Sequence, residues 1–171
     1  LPRILSGEIA GASALSNAMK YLAGLEPLQV RARETETTLE ISGKLPWVTN
    51  LRPEGFFVAA AADREDGGPA MIVALSNTDV GVERSEDLEL LGMRSANTAA
   101  VSLAGVHIDR DRVIADNAQQ WLPRVRPTFI ALQCGMAIGL AERALEEARQ
   151  FGGGGRDVLA ADLNELRDKL T

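Results

Sequence analysis

The sequence has few of the residues on which many kinds of active site are built. It contains one cysteine, Cys134, and one histidine, His107, among 171 residues. One cysteine excludes a disulfide framework and a thiol-rich zinc site, and one histidine excludes most metal sites and catalytic triads. No metal site is expected, so any chemistry would come from a cofactor or from carboxylates. We expect Cys134 to be a small core residue on a helix and His107 to lie at the surface of a strand.

Basic charge and long apolar runs are also scarce. The net charge is −6 and the isoelectric point is near 4.9, which argues against nucleic-acid binding because that function usually needs a basic surface. No stretch approaches the ~18–20 consecutive apolar residues of a membrane span, so we expect a cytoplasmic protein without a membrane segment. The chain opens without an initiator methionine and stops within a helical pattern, and we expect it to be a piece of a longer protein.

Short strand-like segments fill the sequence up to about residue 115. Leu28, Val30 and Ala32 alternate with polar residues, which is typical of a half-buried strand. Further apolar segments follow, separated by turn residues that include Ser42-Gly43: 39–41, 47–49, 56–61, 71–75, 80–82, 98–103 and 106–108. Turn signals every ~8–12 residues predict a sandwich or barrel.

Two helices are predicted after this region. Apolar residues spaced by three and four predict a long helix over 126–151, with Pro127 at its first turn and the glycine run 152–155 as its end. A second amphipathic helix is predicted over 157–170. Ala131, Gly135 and Gly139 form a smooth stripe on the first helix. Two helices cannot bury these faces alone, so we expect a bundle completed by further chain or by neighbouring subunits.

Five segments resemble, in the same order, segments of the acyl-CoA dehydrogenase family. Residues 1–8 resemble the end of the family's N-terminal helical domain, and residues 14–17 (Ala-Leu-Ser-Asn) its Ala-Leu-Ser/Thr-Glu element. Residues 41–50 resemble its Asn-Gly-x-Lys and Trp-Ile-Thr-Asn elements, and residues 90–108 its Leu-Gly-Met-Arg stretch with the following strand. Residues 139–145 resemble the first long helix of its C-terminal bundle. Together the matches run from residue 1 to about residue 150.

This resemblance implies an α+β architecture in three parts. Residues 1–9 would end an N-terminal helical domain, and residues 10–115 would form a β-barrel-like domain that binds flavin and acyl-CoA. Residues 116–171 would begin the C-terminal α-helical bundle. The family also assembles as dimers or tetramers, so the resemblance implies a homo-oligomer.

The implied function is that of an FAD-dependent acyl-CoA dehydrogenase-like oxidoreductase of fatty acid metabolism. In that chemistry a carboxylate removes the α-proton of an acyl-CoA thioester while a β-hydride passes to the flavin. Leu15 and Ser16 would hold the pyrimidine edge of the FAD, and Trp47 and Thr49 would flank its ring, because side chains two apart on a strand share a face. The alternatives are a plain small-residue turn for the first pair and a core tryptophan beside a strand-favouring threonine for the second.

The sequence departs from the family at three places. Residues 18–24 (Ala-Met-Lys-Tyr-Leu-Ala-Gly) stand where the family has Pro-Gly-x-Gly-Ser-Asp, so the glycines that allow close backbone approach to the cofactor are missing, and Lys20 could offset phosphate charge only as a point charge. Ala148 stands where the family's Arg-x-x-Phe-Gly arginine would be, leaving Arg149 or Arg156 as substitutes. Residues 126–138 contain no carboxylate, so no catalytic base is identified.

Other readings remain open from the sequence. A flavin-dependent monooxygenase on the same fold would need no α-proton base. A non-catalytic member acting as a structural or partner subunit is favoured by residues 18–24 and by the glycine run. A β-domain unrelated to flavin is a further alternative. Arg94, in the Leu-Gly-Met-Arg stretch, is expected to pair with Asp87 or Glu89.

Overall fold

A computed structural model describes residues 2–151 and 153–170. The chain divides into two compact units, one ending at Pro123 and one beginning at Arg124. The helices and strands follow in this order: α1 (Pro2–Leu5), β1 (Ala10–Ala14), α2 (Ser16–Leu22), β2 (Val30–Glu34), β3 (Leu39–Val48), β4 (Phe56–Arg64), β5 (Met71–Ser76), β6 (Val82–Arg84), β7 (Ala99–Ile108), β8 (Val113–Ala115), α3 (Ala118–Gln150) and α4 (Arg156–Leu170). The predicted domain boundaries after residues 9 and 115 stay predictions.

The first unit is built on one curled sheet. Its strand order is β6-β7-β3-β2-β4-β5-β8, and β1 pairs with β4 beside this path. The pairs β1–β4 and β2–β4 are parallel, whereas the other pairs are antiparallel. A β-barrel-like sheet followed by helices confirms the predicted α+β architecture, although the sequence patterns did not predict the parallel pairs.

The sheet encloses the main hydrophobic core. Alternate residues of β4 point inward, including Phe56, Val58 and Ala60, and they pack with buried residues of the facing strands. A second cluster lies on the outer side of the sheet, where α2 and the start of α3 cover Ile72 of β5. Burial of these apolar side chains is the main force that holds the unit together.

Strand β3 runs through the predicted turn at Ser42-Gly43. Its pairing with β7 shifts in register between Ile41 and Gly43 and again between Leu45 and Val48, as β-bulges do. Gly43 has φ +139°, and a Cβ on this residue would lie 2.3 Å from the carbonyl oxygen of Gln29. The glycine therefore allows close packing of β2 against β3 within one long strand, and the predicted turn is wrong.

Helix α3 begins nine residues before Pro127, at Ala118. The side-chain Oδ1 of Asn117 accepts the N–H of Gln120 at 3.0 Å, which is the hydrogen bond of an N-cap. The side chains of Ala118 and Leu122 are buried in the second cluster. This cap and this burial start the helix early, and Pro127 lies inside it rather than in its first turn.

The second unit consists of α3 from Arg124 onward and α4. Its apolar side chains are mostly exposed, and Cys134 is exposed as well. The prediction that Cys134 is a core residue is therefore wrong for the described chain. Helix α3 ends at Gln150, and Gly152 of the predicted glycine stop lies outside the described residues.

Helix α3 is long and apolar enough to cross a membrane by length and composition alone. One 18-residue window of it has a mean hydropathy of 1.2 and at most two charged residues. This window is not an uninterrupted apolar run, and one such helix is weak evidence for a membrane span. The core helix of a soluble helical bundle meets the same test, which is the place that the resemblance gives to α3.

Candidate functional site

A polar cleft opens on the first unit between α2, β3 and the segment that leads into β2. It has a volume of about 240 Å³, and we call it the Trp47 cleft. The residues that line it and enter the argument below are Ser16, Asn17, Lys20, Glu26, Lys44 and Trp47.

Trp47 reaches the cleft because β3 bulges beside it. Leu45 pairs with Val101 and Val48 pairs with Ala99, so β3 has one extra residue between these pairs. Pro46 lies in this bulge, where a residue without a backbone N–H is tolerated. Trp47 is 61% exposed, whereas Leu45 and Val48 are buried. The indole is thus an aromatic surface held outward by a defined backbone irregularity.

Helix α2 supplies the second side of the cleft, beginning with Ser16. Ser16 is exposed and lines the Trp47 cleft. Leu15 precedes it with a buried side chain that packs in the second cluster. The carbonyl of Leu15 accepts the N–H of Met19 at 2.9 Å. Of this predicted pair, only Ser16 presents a side chain to the cleft.

Thr49 follows Trp47 on the exposed side of the chain. The two residues flank buried Val48, as the alternation of a strand predicts. The hydroxyl of Thr49 lies 3.2 Å from the hydroxyl of Thr98, and Thr49 does not line the Trp47 cleft. The structure therefore brings Ser16 and Trp47 together, and the flavin contacts of all four predicted residues stay predictions.

Asn17 fastens α2 to the segment that leads into β2. Its Nδ2 donates to Glu26 Oε1 at 2.8 Å and to the carbonyl of Pro27 at 2.9 Å. Its Oδ1 accepts the N–H of Gln29 at 3.1 Å. These three hydrogen bonds hold α2 against residues 26–29, and Lys20 lies in the sequence between Asn17 and that segment.

The charged residues of the cleft are two lysines and one glutamate. Lys20 Nζ lies 3.4 Å from Glu26 Oε2. The hydrogen bond from Asn17 and the nearby ammonium of Lys20 lower the pKa of Glu26 below its usual value. Lys44 lines the same cleft from β3. The sequence analysis considered Lys20 as a phosphate contact, but it did not propose Lys44, Asn17 or Glu26 as residues of a site. The chain contains three lysines, and this scarcity was the feature of the sequence that could have pointed to Lys44.

Two arginines that the sequence analysis considered have other partners. Arg94 Nε donates to the carbonyl of Leu90 at 2.9 Å, while Asp87 pairs with Arg84. The predicted pairing of Arg94 with Asp87 or Glu89 is therefore wrong: Arg84 on strand β6 already holds Asp87, and among the described residues Arg94 forms no ion pair with Glu89. Arg149 donates to Asn164 at 2.9 Å, and the side chain of Arg156 lies outside the described residues.

Metal binding finds no support in the part of the chain that the structure describes. Within it, no group of three or more His, Cys, Asp and Glu side chains could hold a metal ion. His107 is exposed, with its Nδ1 3.2 Å from the hydroxyl of Thr38. The donor set of the Trp47 cleft is instead one aromatic ring, a hydroxyl, an amide and charged side chains.

Comparison with known proteins gives one related sequence and many related structures. No protein-family model matches the chain. The chain is 26% identical over 132 residues to a probable FMNH2-dependent monooxygenase, SfnC, of Pseudomonas putida, a match that spans 74% of this chain and 33% of that protein. The chain thus spans about a third of the length of this relative.

Several of the related structures are acyl-CoA dehydrogenases. A probable acyl-CoA dehydrogenase from Mycobacterium abscessus superposes with a TM-score of 0.75 at 23% identity, covering 98% of this chain and 48% of that one. A glutaryl-CoA dehydrogenase from Mycobacterium smegmatis, in complex with FADH2, gives a TM-score of 0.71 at 19% identity, covering 99% and 46%. The chain therefore has the acyl-CoA dehydrogenase fold, over about half the length of those proteins, as the order of its sequence motifs predicted.

Proposed function

We propose that the protein is a flavin-dependent oxidoreductase of the acyl-CoA dehydrogenase type and that the Trp47 cleft holds part of its flavin. The observation that carries this proposal is the exposed indole of Trp47, which lines one cleft together with the hydroxyl of Ser16. The fold supports the proposal because the structures that share it include one with a bound flavin.

The residues of the cleft fit a flavin chemically. A flavin ring needs a flat apolar or aromatic wall and hydrogen-bonding groups at its polar edge. Trp47 provides the wall, and the hydroxyl of Ser16 and the backbone beside Leu15 would bind the pyrimidine edge. Thr49 lies two residues after Trp47 and outside the lining of the cleft, and its hydroxyl would donate to the part of the ring that extends beyond the cleft. When bound, a flavin accepts a hydride from a substrate or, in its reduced form, activates oxygen.

The first specific reading is the dehydrogenation of an acyl-CoA thioester with FAD as cofactor. It is supported by the fold and by the names of the related structures. The residues of this chain would bind and orient the flavin, while the base that removes the α-proton is not identified among them. This hypothesis includes a homo-oligomeric assembly, a cytoplasmic location and an acyl-CoA substrate.

The second reading is a monooxygenase that uses reduced FMN. It is supported by the relative from Pseudomonas putida and by residues 126–138, where the sequence has no carboxylate that could act as a base. This reaction needs no α-proton abstraction from an acyl-CoA. The same cleft would hold the flavin in both readings, so the flavin site can be tested before the reaction is known.

The flavin site is tested by loading the complete protein with FAD or FMN and removing free flavin by gel filtration. We expect a visible flavin spectrum that stays with the protein. Trp47→Ala should weaken flavin binding about tenfold, since stacking on an aromatic ring is worth roughly 1–3 kcal/mol, whereas Trp47→Phe keeps a ring and should retain most of the affinity.

Two outcomes would contradict the proposal. A complete protein that stays colourless after loading and that also fails to bind reduced FMN under anaerobic conditions has no flavin site, and the non-catalytic hypothesis of a partner subunit would replace ours. Equal flavin affinity in Trp47→Ala and the wild type would place the flavin elsewhere. In a protein that retains flavin, acyl-CoA-dependent reduction of an artificial electron acceptor supports the first reading, and oxygen consumption with reduced FMN supports the second.

A further inference from the structure

We propose that Lys20 and Lys44 form the phosphate-binding part of the Trp47 cleft, so that the protein recognises the phosphate of a flavin nucleotide through two ammonium groups. This inference rests on the proposed flavin function. It assigns to α2 a task that the family performs with a glycine-rich loop, which this chain lacks at residues 18–24.

The distribution of lysine is the first observation. The chain has three lysines and a net charge of −6, and two of the three lysines line this one cleft. The third, Lys169, lies on α4 and pairs with Glu165 at 2.6 Å. A lysine ammonium is a compact charge on a flexible stem, suited to meet phosphate oxygens from several directions.

The charge balance of the cleft is the second observation. Glu26 is the carboxylate that lines it, and one oxygen of that carboxylate accepts from Asn17 while the other faces Lys20. Lys44 forms none of the ion pairs found among the described residues, where the lysine pairs are Lys20–Glu26 and Lys169–Glu165. The cleft therefore contains two ammonium groups and one carboxylate, which gives it a net positive charge within a protein whose overall charge is negative.

The backbone of α2 is the third observation. The N–H group of Met19 within it, and those of Ala23, Gly24 and Leu25 just beyond it, donate to carbonyls of residues 15–21. Backbone N–H groups that are used within a helix and its end are not available to a phosphate, unlike those of an open glycine-rich loop. Beside Lys20 and the end of α2, the charge of a phosphate would therefore be met by side chains, whereas the first-turn N–H groups of α2 have no acceptor within the helix.

The ligand class follows from the combination. An aromatic wall and two ammonium groups within a cleft of about 240 Å³ suit a molecule with a planar ring at one end and a phosphate at the other. FMN and FAD both have this chemistry, and riboflavin has the ring without the phosphate. Comparison of the three flavins thus separates ring recognition from phosphate recognition.

The test is a titration of the complete protein with riboflavin, FMN and FAD, followed by flavin fluorescence. We expect Lys20→Gln and Lys44→Gln each to weaken binding of FMN or FAD about tenfold, as for a charge-assisted hydrogen bond, with riboflavin affinity changed less than about twofold. Added salt should weaken FMN binding more than riboflavin binding, because exposed charges are screened. Lys169→Gln is the matched control and should bind all three flavins like the wild type.

The outcomes separate this inference from the flavin proposal. A wild-type protein that binds none of the three flavins overturns both. A protein that binds riboflavin as tightly as FMN and FAD, or whose Lys20→Gln and Lys44→Gln variants lose affinity for riboflavin equally, overturns the phosphate site alone. Circular dichroism of both variants identifies any loss of flavin affinity that comes from unfolding. The double variant should lose more FMN affinity than either single variant.

Discussion

Strand β3 departs from regular pairing at two places, and both lie beside residues of the Trp47 cleft. The first irregularity, at Gly43, precedes Lys44, and the second contains Pro46 and Trp47. Bulges are found next to functional sites because they turn a side chain away from its regular direction. At the residue scale, the shape of the cleft therefore depends on a glycine and a proline that carry no chemistry themselves.

The first residue-scale prediction concerns Gly43→Ala. The added methyl group would lie 2.3 Å from the Gln29 carbonyl oxygen and 2.8 Å from the Val30 Cα, both backbone atoms, at φ +139°. We expect a loss of about 3 kcal/mol in the free energy of unfolding, from steric conflict added to backbone strain, measured by urea denaturation.

Gly67→Ala is the matched control for this variant. Gly67 also has positive φ, +78°, but a Cβ there would meet nothing within 4 Å, so only backbone strain of roughly 1 kcal/mol is expected. Equal losses in the two variants would show that the close approach of Gln29 to Gly43 is absent in solution.

The sequence predicted some residues of the cleft and missed others for a physical reason. Ser16 and Trp47 were found because each belongs to a short motif, and five such motifs follow one another in the order of the family. Asn17 and Glu26 act through a turn that brings residue 26 back onto α2, and a contact of that kind has no fixed spacing in the sequence. Lys44 lies within one of the motifs, but its position in the cleft depends on the bulge of β3, which the sequence patterns did not predict.

At the scale of elements, the strongest periodic segments were predicted well and those of small residues were not. The strands β4 and β5 and the helix α4 lie close to their predicted positions. Strand β1, with the sequence Ala-Gly-Ala-Ser-Ala, was missed because small residues give little contrast between a buried and an exposed face. The early start of α3 was missed because Pro127 has a local preference for the first turn, which burial of Leu122 overrides.

The turn between β4 and β5 is held by a small network of charges. Arg64 donates to Asp66 from Nε at 3.0 Å and from Nη2 at 2.6 Å, and its Nη2 also donates to Glu34 at 2.7 Å. The N–H of Gly68 donates to Asp66 Oδ1 at 2.8 Å. The hydrogen bonds from Arg64, followed by that from Gly68, lower the pKa of Asp66 to about 2.

This lowered pKa predicts an acid-sensitive turn. Because the pKa of Asp66 is lower in the folded chain than the usual 3.8 of an aspartate side chain, its contribution to stability is present above about pH 4 and is lost as the pH falls towards 2. We expect Asp66→Asn to be less stable than the wild type at pH 6, with the difference shrinking over this interval. Carboxyl chemical shifts of Asp66, followed by NMR, should titrate near pH 2; a midpoint near 4 would contradict the network.

At the scale of the whole molecule, α3 exposes a large apolar surface within the second unit. Its exposed apolar side chains, each 46% or more exposed, are Ile130, Leu132, Met136, Ile138 and Leu140. Leu132, Met136 and Leu140 follow one another at i, i+4 along one side of the helix, and an exposed apolar patch marks an interaction site in soluble proteins. This surface also explains why α3 passes the composition test for a membrane helix.

We predict that the complete protein is a homo-oligomer that uses this surface, as the resemblance implies. Leu132→Gln combined with Leu140→Gln should shift the protein towards a smaller species in size-exclusion chromatography with light scattering, because each change places a polar group in the interface. Glu142→Gln, on the same helix, is the control and should leave the oligomer intact. A wild-type protein that is monomeric at micromolar concentration would contradict this prediction.

The pairing of β4 has a consequence for how the nascent chain folds. Strand β4 is the parallel partner of both β1 and β2, which precede it in the sequence, and β3 pairs with the much later β7. During synthesis the hairpins β2–β3 and β4–β5 can form as they leave the ribosome. Strand β1 has no partner until β4 has been made, and the second edge of β3 has none until β7 has been made. Because non-local pairing of this kind is slow, the sheet is complete only after β8 has emerged and paired with β5, and until then apolar strand surface stays exposed.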